Sequence, residues 1–440
     1  MALAGRVLLC VSLVALGSIA RHLQWVKPAD GGALLRVIFG ITLPAVLLTT
    51  FSNAPLDLAG SGLIIACSVA HACLLAFLSF TWDHPRRSAQ QVALLSGASF
   101  GVNLGLFAYP FAAALFGAHG LKVIVLYDLF NQGVLLVLQY LAFWWRCAGV
   151  PVSSGGGADV VAAVAKRLLT PCLLALYAAT LLAVTRTSIA PAVQAVTSQL
   201  VAANAPLTLL ALGVLLDMRV PGRALVDVAA LLGARYGISL AFGAGCVLLL
   251  QPLVPLETVA AVLIAATSPV PMLTLTYSEE FGCDTSLAAI IINASMVLSF
   301  SCLVAIVHVS STAPTFLAPA AAACASACLL VALLGRWQQH RLLREQAPPQ
   351  QRGAAVAMLR VYQQGGAPQA KRRVFGYKLP RRLVDGTPMR VEQHLGGVAV
   401  RSMRLAGLRQ PATAHGTCRW RRAAAARPVP QNQMHALPCY

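Results

Sequence analysis

Charge is what this chain has least of. Only 14 of its 440 residues are Asp or Glu, and charged residues of both signs make up 11%, roughly half the share usual in soluble domains. Hydrophobic residues make up 58% and mean hydropathy is +0.73, so residues 1–335 cannot cover a soluble fold with polar side chains. Catalytic patterns are missing too. The 12 Cys are scattered without a C-x-x-C, and the nine His form no H-x-x-x-H or H-E-x-x-H. No Walker loop occurs, which removes ATP-driven transport by this chain. Cys324 and Cys328 share one helix face, where small-residue packing explains them better than a metal. The expectation is a non-enzyme with no metal and no cofactor; a coupled proton is the one small partner left open.

What fills the chain is apolar runs, at about 4–20, 33–52, 60–81, 92–115, 121–145, 165–185, 191–216, 225–250, 257–276, 285–308 and 314–335. Each is near the roughly 20 residues that cross a bilayer as helix. The first, with Arg6 before it and Ser18-Ile19-Ala20 at its end, also has the look of a cleavable leader. The sparse charge ahead of it, with no soluble domain behind, favours a retained span. The fold class expected is an all-α membrane protein of about ten spans plus an eleventh.

Loop charge orients it. Connections after spans 1, 3, 5 and 7 hold Arg21, Lys27, Arg36, Arg86, Arg87, Arg146, Lys166, Arg167, Arg219 and Arg223; those after spans 2, 4, 6, 8 and 10 hold only Lys122 and Arg186. Lys and Arg favour the cytoplasmic side, so the N-terminus is expected outside. The loop after span 9 is the exception, with Glu279, Glu280 and Asp284 lacking a balancing cation. Residues 336–440 carry 19 Lys or Arg against three acids, a net of +16. Beyond a short helix expected at 336–346, this tail reads as disordered. It is either a solvated extension or a polybasic contact for anionic lipid, centred on Lys371-Arg372-Arg373 and Arg381-Arg382. Arg runs without interleaved aromatics give no reason to expect nucleic acid.

Polar residues inside the runs 92–115 and 121–145 are the chemical signal. Asn103, Tyr109 and Pro110 lie in the first, Asp128 and Asn131 in the second. Proline removes a backbone donor and clashes with the preceding turn, so a bend or break is expected at Pro110. Backbone groups freed in hydrocarbon need new partners or a cavity, and an intramembrane acid is a functional hypothesis by default. Asp128 either carries a coupled proton or braces the broken helix with Asn131. Gly97, Gly101 and Gly105, four apart, read as a close-packing face. His71 reads as a satisfied interior histidine, and Asn204 as an inter-helix bond.

The two halves correspond. Pro44 in span 2 matches Pro206 in span 7; Asn103 and Pro110 match Pro269 and Pro271 in span 9; Asp128 and Asn131 match Asn293 in span 10. Interruptions at matching places in two five-span halves point to inverted repeats with a binding site between them. The division expected is 1–150 and 151–310 as the repeats, 311–335 as the extra helix, and 336–440 as the tail.

The blocks GSIARHLQWVKPADGGALLRVIFGITLPAVLLTTF, GVNLGLFAYPFAAALFGAHGLKVIVLYDLFNQ, NAPLTLLALGVLLD and TSPVPMLTLTYSEEFGCDTSLAAIIINASMVLSF, in that order, resemble the auxin efflux carrier family. The resemblance covers about residues 5–308. It implies ten helices in two inverted repeats, with helices 4 and 9 broken and crossing, and elevator-type export of auxin or a small carboxylate. The connection Cys147–Ala165 is short, as in PIN-like and bacterial members. An acid of the third span is absent, with His71 the nearest ionisable group, which puts auxin itself in question.

The site expected for an organic anion is therefore Asn103, Tyr109, Pro110, Pro269, Pro271 and Asn293, with Asp128 and Asn131 coupling or bracing. Half-helix N-termini aimed at one spot suit a carboxylate. The alternatives are a sodium-coupled symporter of bile-acid type, or a non-transporting scaffold acting through its basic tail. A homodimer is compatible with all three, and plasma membrane and endoplasmic reticulum are both open.

Overall fold

The computed structural model describes residues 3–52, 58–147, 157–216 and 224–345; the tail motifs at 371–373 and 381–382 fall outside them. Every described element is a helix. The first half runs α1 (Leu3–His22), α2 (Pro28–Val37), a π-helical turn (Ile38–Thr42), α3 (Leu43–Ser52), α4 (Leu58–Phe80) and α5 (Ala89–Ser99). It continues with a second π turn (Leu104–Ala108), α6 (Tyr109–Gly133), a third π turn (Val134–Gln139) and α7 (Tyr140–Cys147). The second half runs α8 (Gly157–Leu168), α9 (Pro171–Thr185), α10 (Pro191–Leu215), α11 (Leu225–Leu250), α12 (Leu256–Ala266), α13 (Leu273–Glu280) and α14 (Thr285–Thr312). A final helix, α15 (Leu317–Glu345), follows. Eight stretches are long and apolar enough to cross a membrane, nine with the pair 160–168 and 171–185, bent by 59°. This is an all-α, multi-pass integral membrane protein.

Local chemistry sets the boundaries. Ser88 and Gln91 form a reciprocal capping box at the start of α5, and Asp284 caps α14 by accepting from Leu287 N–H at 3.0 Å. Pro171 and Pro191 occupy the first turns of α9 and α10, where a missing N–H costs nothing. Arg186 closes α9 in the left-handed region, φ 53°. Residues 104–147 form one long apolar stretch, kinked at Gly117 with φ 64° and ψ −149°, a conformation open essentially to glycine alone.

The breaks differ from expectation in one respect. The first lies at Phe100–Asn103, not at Pro110, which sits in the first turn of α6. The π turn just before it absorbs the proline: Tyr109 N–H reaches back five residues to Leu104 O, widening the turn where the ring would clash. Pro44 is accommodated in the same way, Leu43 N–H bonding Ile38 O, while Pro206 stays inside a continuous α10. The short helix expected at 336–346 is simply the end of α15.

α1 packs along α10 and α3 along α9, while α4 and α12 flank α6. At the α1–α10 crossing the backbones touch. A Cβ on Gly17 would stand 2.2 Å from Leu210 O, and one on Gly213 2.0 Å from Val14 O. Ser18 Oγ donates to Gly213 O across the same contact at 3.0 Å, so the first span is built into the bundle. α15 lies on α11 with equal intimacy: a Cβ on Gly233 would stand 2.8 Å from Ala332 N and Cys328 O. The acidic end of α13 is balanced after all, because Arg167 reaches Glu280 and stacks 4.1 Å over Tyr140.

Candidate functional site

The two interrupted helices cross backbone to backbone. Asn103 N–H donates to Pro269 O at 2.9 Å, joining the gap between α5 and the π turn at Leu104 to the gap between α12 and α13. Pro269 and Pro271 lie in that second gap, where missing N–H groups leave no orphan donors.

Each end of the first gap is held by a side chain. Arg235 of α11, 1% exposed, donates from Nη1 to Ser99 O at 2.9 Å and to Ala98 O at 3.4 Å. Its Nη2 donates to Gly101 O. These are the carbonyls the end of α5 leaves unpaired, and a fixed cation there also meets the negative end of the helix dipole. Gly101 has φ +57°, and a Cβ there would stand 2.1 Å from Leu135 Cδ2. Its role is conformational, since it lies in the break rather than on a helix face. Gly97 does allow a close approach, facing the Phe143 ring, and Gly105 lies against Leu43.

Asn131 pairs with the extended segment as a neighbouring strand would. Its Oδ1 accepts from Val102 N–H and its Nδ2 donates to Val102 O, both at 2.9 Å. The same Nδ2 donates to Asp128 Oδ1 at 2.7 Å. Asp128, 1% exposed, accepts at Oδ2 from Tyr109 OH at 2.7 Å and from Gln132 Nε2 at 2.8 Å. Tyr109, Asp128 and Asn131 thus form one buried network behind the first break.

The second break is held from α14 and α11. Ser295 Oγ accepts from Val270 N–H at 2.9 Å, and Ser299 Oγ donates to Thr267 O at 2.6 Å. Tyr236 OH donates to Ser295 O and contacts Ser299 Oγ, each at 2.6 Å. Asn293 is placed differently: half-buried, it donates from Nδ2 to Ala289 O on its own helix. Ser295 and Ser299, farther along the helix, are α14 groups that meet the break.

Among the described residues two polar side-chain atoms are buried without a hydrogen-bond partner, Asn103 Nδ2 and Gln139 Oε1. Asn103 Oδ1 accepts from Leu106 N–H at 3.4 Å, so this residue caps the second half of the broken helix and leaves its amide donors spare. Gln139 Nε2 ties Gly97 O at 2.9 Å to Thr274 Oγ1 at 2.7 Å, linking α5 to α13.

His71 is fully engaged nearby. Its Nδ1 meets Tyr127 OH at 2.7 Å and its Nε2 meets Ser239 Oγ at 2.9 Å. Asn204 accepts from Thr42 OH at 2.8 Å, an inter-helix bond. Sequence reading passed over Arg235, Gln139, Ser295 and Tyr236. Arg235 carried a usable signal, an ionisable group in the middle of an apolar run.

No protein-family model matches the chain. It is 26% identical over 308 residues to a protein described as an uncharacterized transporter from Methanothermobacter thermautotrophicus, covering 67% of this chain and 93% of that relative. Multi-span helical architecture and this likeness together support a membrane transporter.

Proposed function

We propose that the protein is a secondary transporter of a small organic anion, of the auxin efflux carrier kind, holding its substrate where the two broken helices cross. The observation that carries this reading is Asn103. Its Nδ2 is buried without a partner at the N-terminal end of a helical segment that starts at Leu104. An orphaned buried donor costs about 1–3 kcal/mol, a cost that a carboxylate ligand would remove. Arg235 adds a fixed positive charge to the same break, favouring an anion.

Two inverted repeats, 1–150 and 151–310, account for the reciprocal pairing of α1 with α10 and α9 with α3. They also account for the matching braces, Asn131 on Val102 and Ser295 on Val270. Alternating access would then carry the crossing past the α1–α10 and α3–α9 contacts, elevator fashion. Both Asp128 oxygens already accept hydrogen bonds. That favours a carboxylate whose protonation rearranges its donors over one coordinating sodium.

The test is flux of radiolabelled carboxylates, indole-3-acetate and malate among them, in vesicles carrying the full chain, with and without proton and sodium gradients. Saturable flux of one anion that Asn103→Ala weakens supports the reading. Flux of none, from protein shown to be folded, removes it in favour of a scaffold.

A further inference from the structure

A second cationic cluster lies away from the crossing, where α15 meets the turn between α4 and α5. Arg336 of α15 stacks 4.3 Å over the Trp82 ring, with Arg87 5.7 Å from the same ring. Arg336 donates to Thr81 Oγ1 at 2.5 Å, Arg86 to Leu343 O at 2.7 Å, and Arg87 to Trp82 O at 3.2 Å. The His84 and His340 rings meet edge to face, centroids 5.2 Å apart. Most acceptors here are neutral carbonyls and hydroxyls. The acids are Asp83, paired with Arg146, and Asp227, 3.6 Å from Arg87 and bonded by Gln339. Among the described residues, these four arginines face two aspartates, and Arg86 and Arg336 meet neutral acceptors.

These groups enclose a cavity of about 40 Å³ lined by Arg87, Arg336, His84, His340, Gln339 and Asp83. One water needs roughly 10–15 Å³ of such space, so the cavity suits a phosphate group rather than a whole metabolite. It sits at the ends of two membrane-length helices, 60–80 and 314–343. Trp337, 63% exposed, and Trp145, 78% exposed, flank it. Exposed tryptophans at helix ends mark the headgroup level of a bilayer. The loop charges place this end at the cytoplasmic leaflet, where anionic lipid concentrates.

We propose that this pocket binds the phosphate of an anionic phospholipid, clamping α15 to the turn that leads into the broken helix. The consequence reaches the crossing, because Trp82, which carries Arg336 on its face, donates from Nε1 to Ser99 Oγ at 2.9 Å. Ser99 O is one of the carbonyls held by Arg235. The inference stands on this cluster alone and does not depend on the transport reading.

Native mass spectrometry of the full chain, titrated with phosphatidylglycerol or phosphatidylcholine, tests it. The tail is identical in every variant, so its own lipid contacts cancel. Phosphatidylglycerol should bind first and more tightly, and Arg336→Gln should weaken that first binding about fivefold, the share of one arginine at a membrane surface. Asp83→Asn, which frees Arg146 and removes an acid, should tighten it by a similar factor and keeps the test open if Arg336→Gln does not fold. Inorganic phosphate displacing the lipid at comparable concentration would reassign the site to a soluble phosphate compound. Equal phosphatidylglycerol affinity in the parent and both variants would overturn the proposal.

Discussion

Replacing Arg235 of α11 with Gln should destabilise the protein strongly. The guanidinium donates to three carbonyls, those of Ala98, Ser99 and Gly101, all within a buried helix break that no water reaches easily. A hydrogen bond from a charged donor contributes roughly 1.5–3 kcal/mol taken singly. Three to one side chain do not add, so the loss expected is about 3–5 kcal/mol, the range for removing one partner of a buried charged network. That corresponds to a fall in melting temperature on the order of 10 °C, measurable by fluorescence-detected size exclusion after heating in detergent. Arg235→Lys keeps the charge but cannot fork across three carbonyls, and should fall between Gln and parent. Gln melting with the parent would refute the claim that this guanidinium holds the break.

Three further expectations follow from the same geometry. Gly213→Leu puts a side chain where even a Cβ would stand 2.0 Å from Val14 O; it should separate α1 from α10 and cost more than about 3 kcal/mol, read as lost monodisperse protein. Asp128→Asn keeps the shape of the acid and part of its bonding, so the fold should persist while any pH dependence of transport disappears; an unchanged pH profile would remove Asp128 from coupling. At the cationic pocket, partial burial first, and then His340, Arg87 and Arg86, hold the His84 imidazolium below its ordinary range. His84 is therefore neutral at pH 7, and phosphatidylglycerol affinity should rise as pH falls below about 6.5, where protonation adds charge to a site facing Arg86, Arg87, Arg336, His340, Asp83 and Asp227. His84→Gln should flatten that rise, checked by repeating the lipid titration at pH 5.5 and 7.5.

Much of the fold was legible in the sequence because the bilayer fixes the length of an apolar run. The runs 225–250 and 191–216 coincide with α11 and α10 almost to the residue. The helix breaks were harder to place. Pro110 was a sound signal of a disturbed helix, but a π turn can absorb a proline, and the true gap sits seven to ten residues earlier around Gly101. Which polar residue meets a break was less legible still. Asn293 and Ser295 lie about 200° apart around one helix, and polarity does not say which of the two faces inward. Arg235 is legible only as an ionisable group within an apolar run; the sequence does not show that it holds the carbonyls of Ala98, Ser99 and Gly101.

The central claim is that Asn103 offers its spare amide donors to an anion at the crossing. The most direct measurement is concentration-dependent flux for the full chain and for Asn103→Ala, alongside melting of both. Among the described residues Nδ2 has no hydrogen-bond partner, and Oδ1 makes the 3.4 Å contact to Leu106 N–H. Melting should therefore change by less than about 1 kcal/mol, while KM for the transported anion rises about tenfold or more. A variant that melts with the parent and transports with unaltered KM would contradict a substrate site at the crossing of the broken helices.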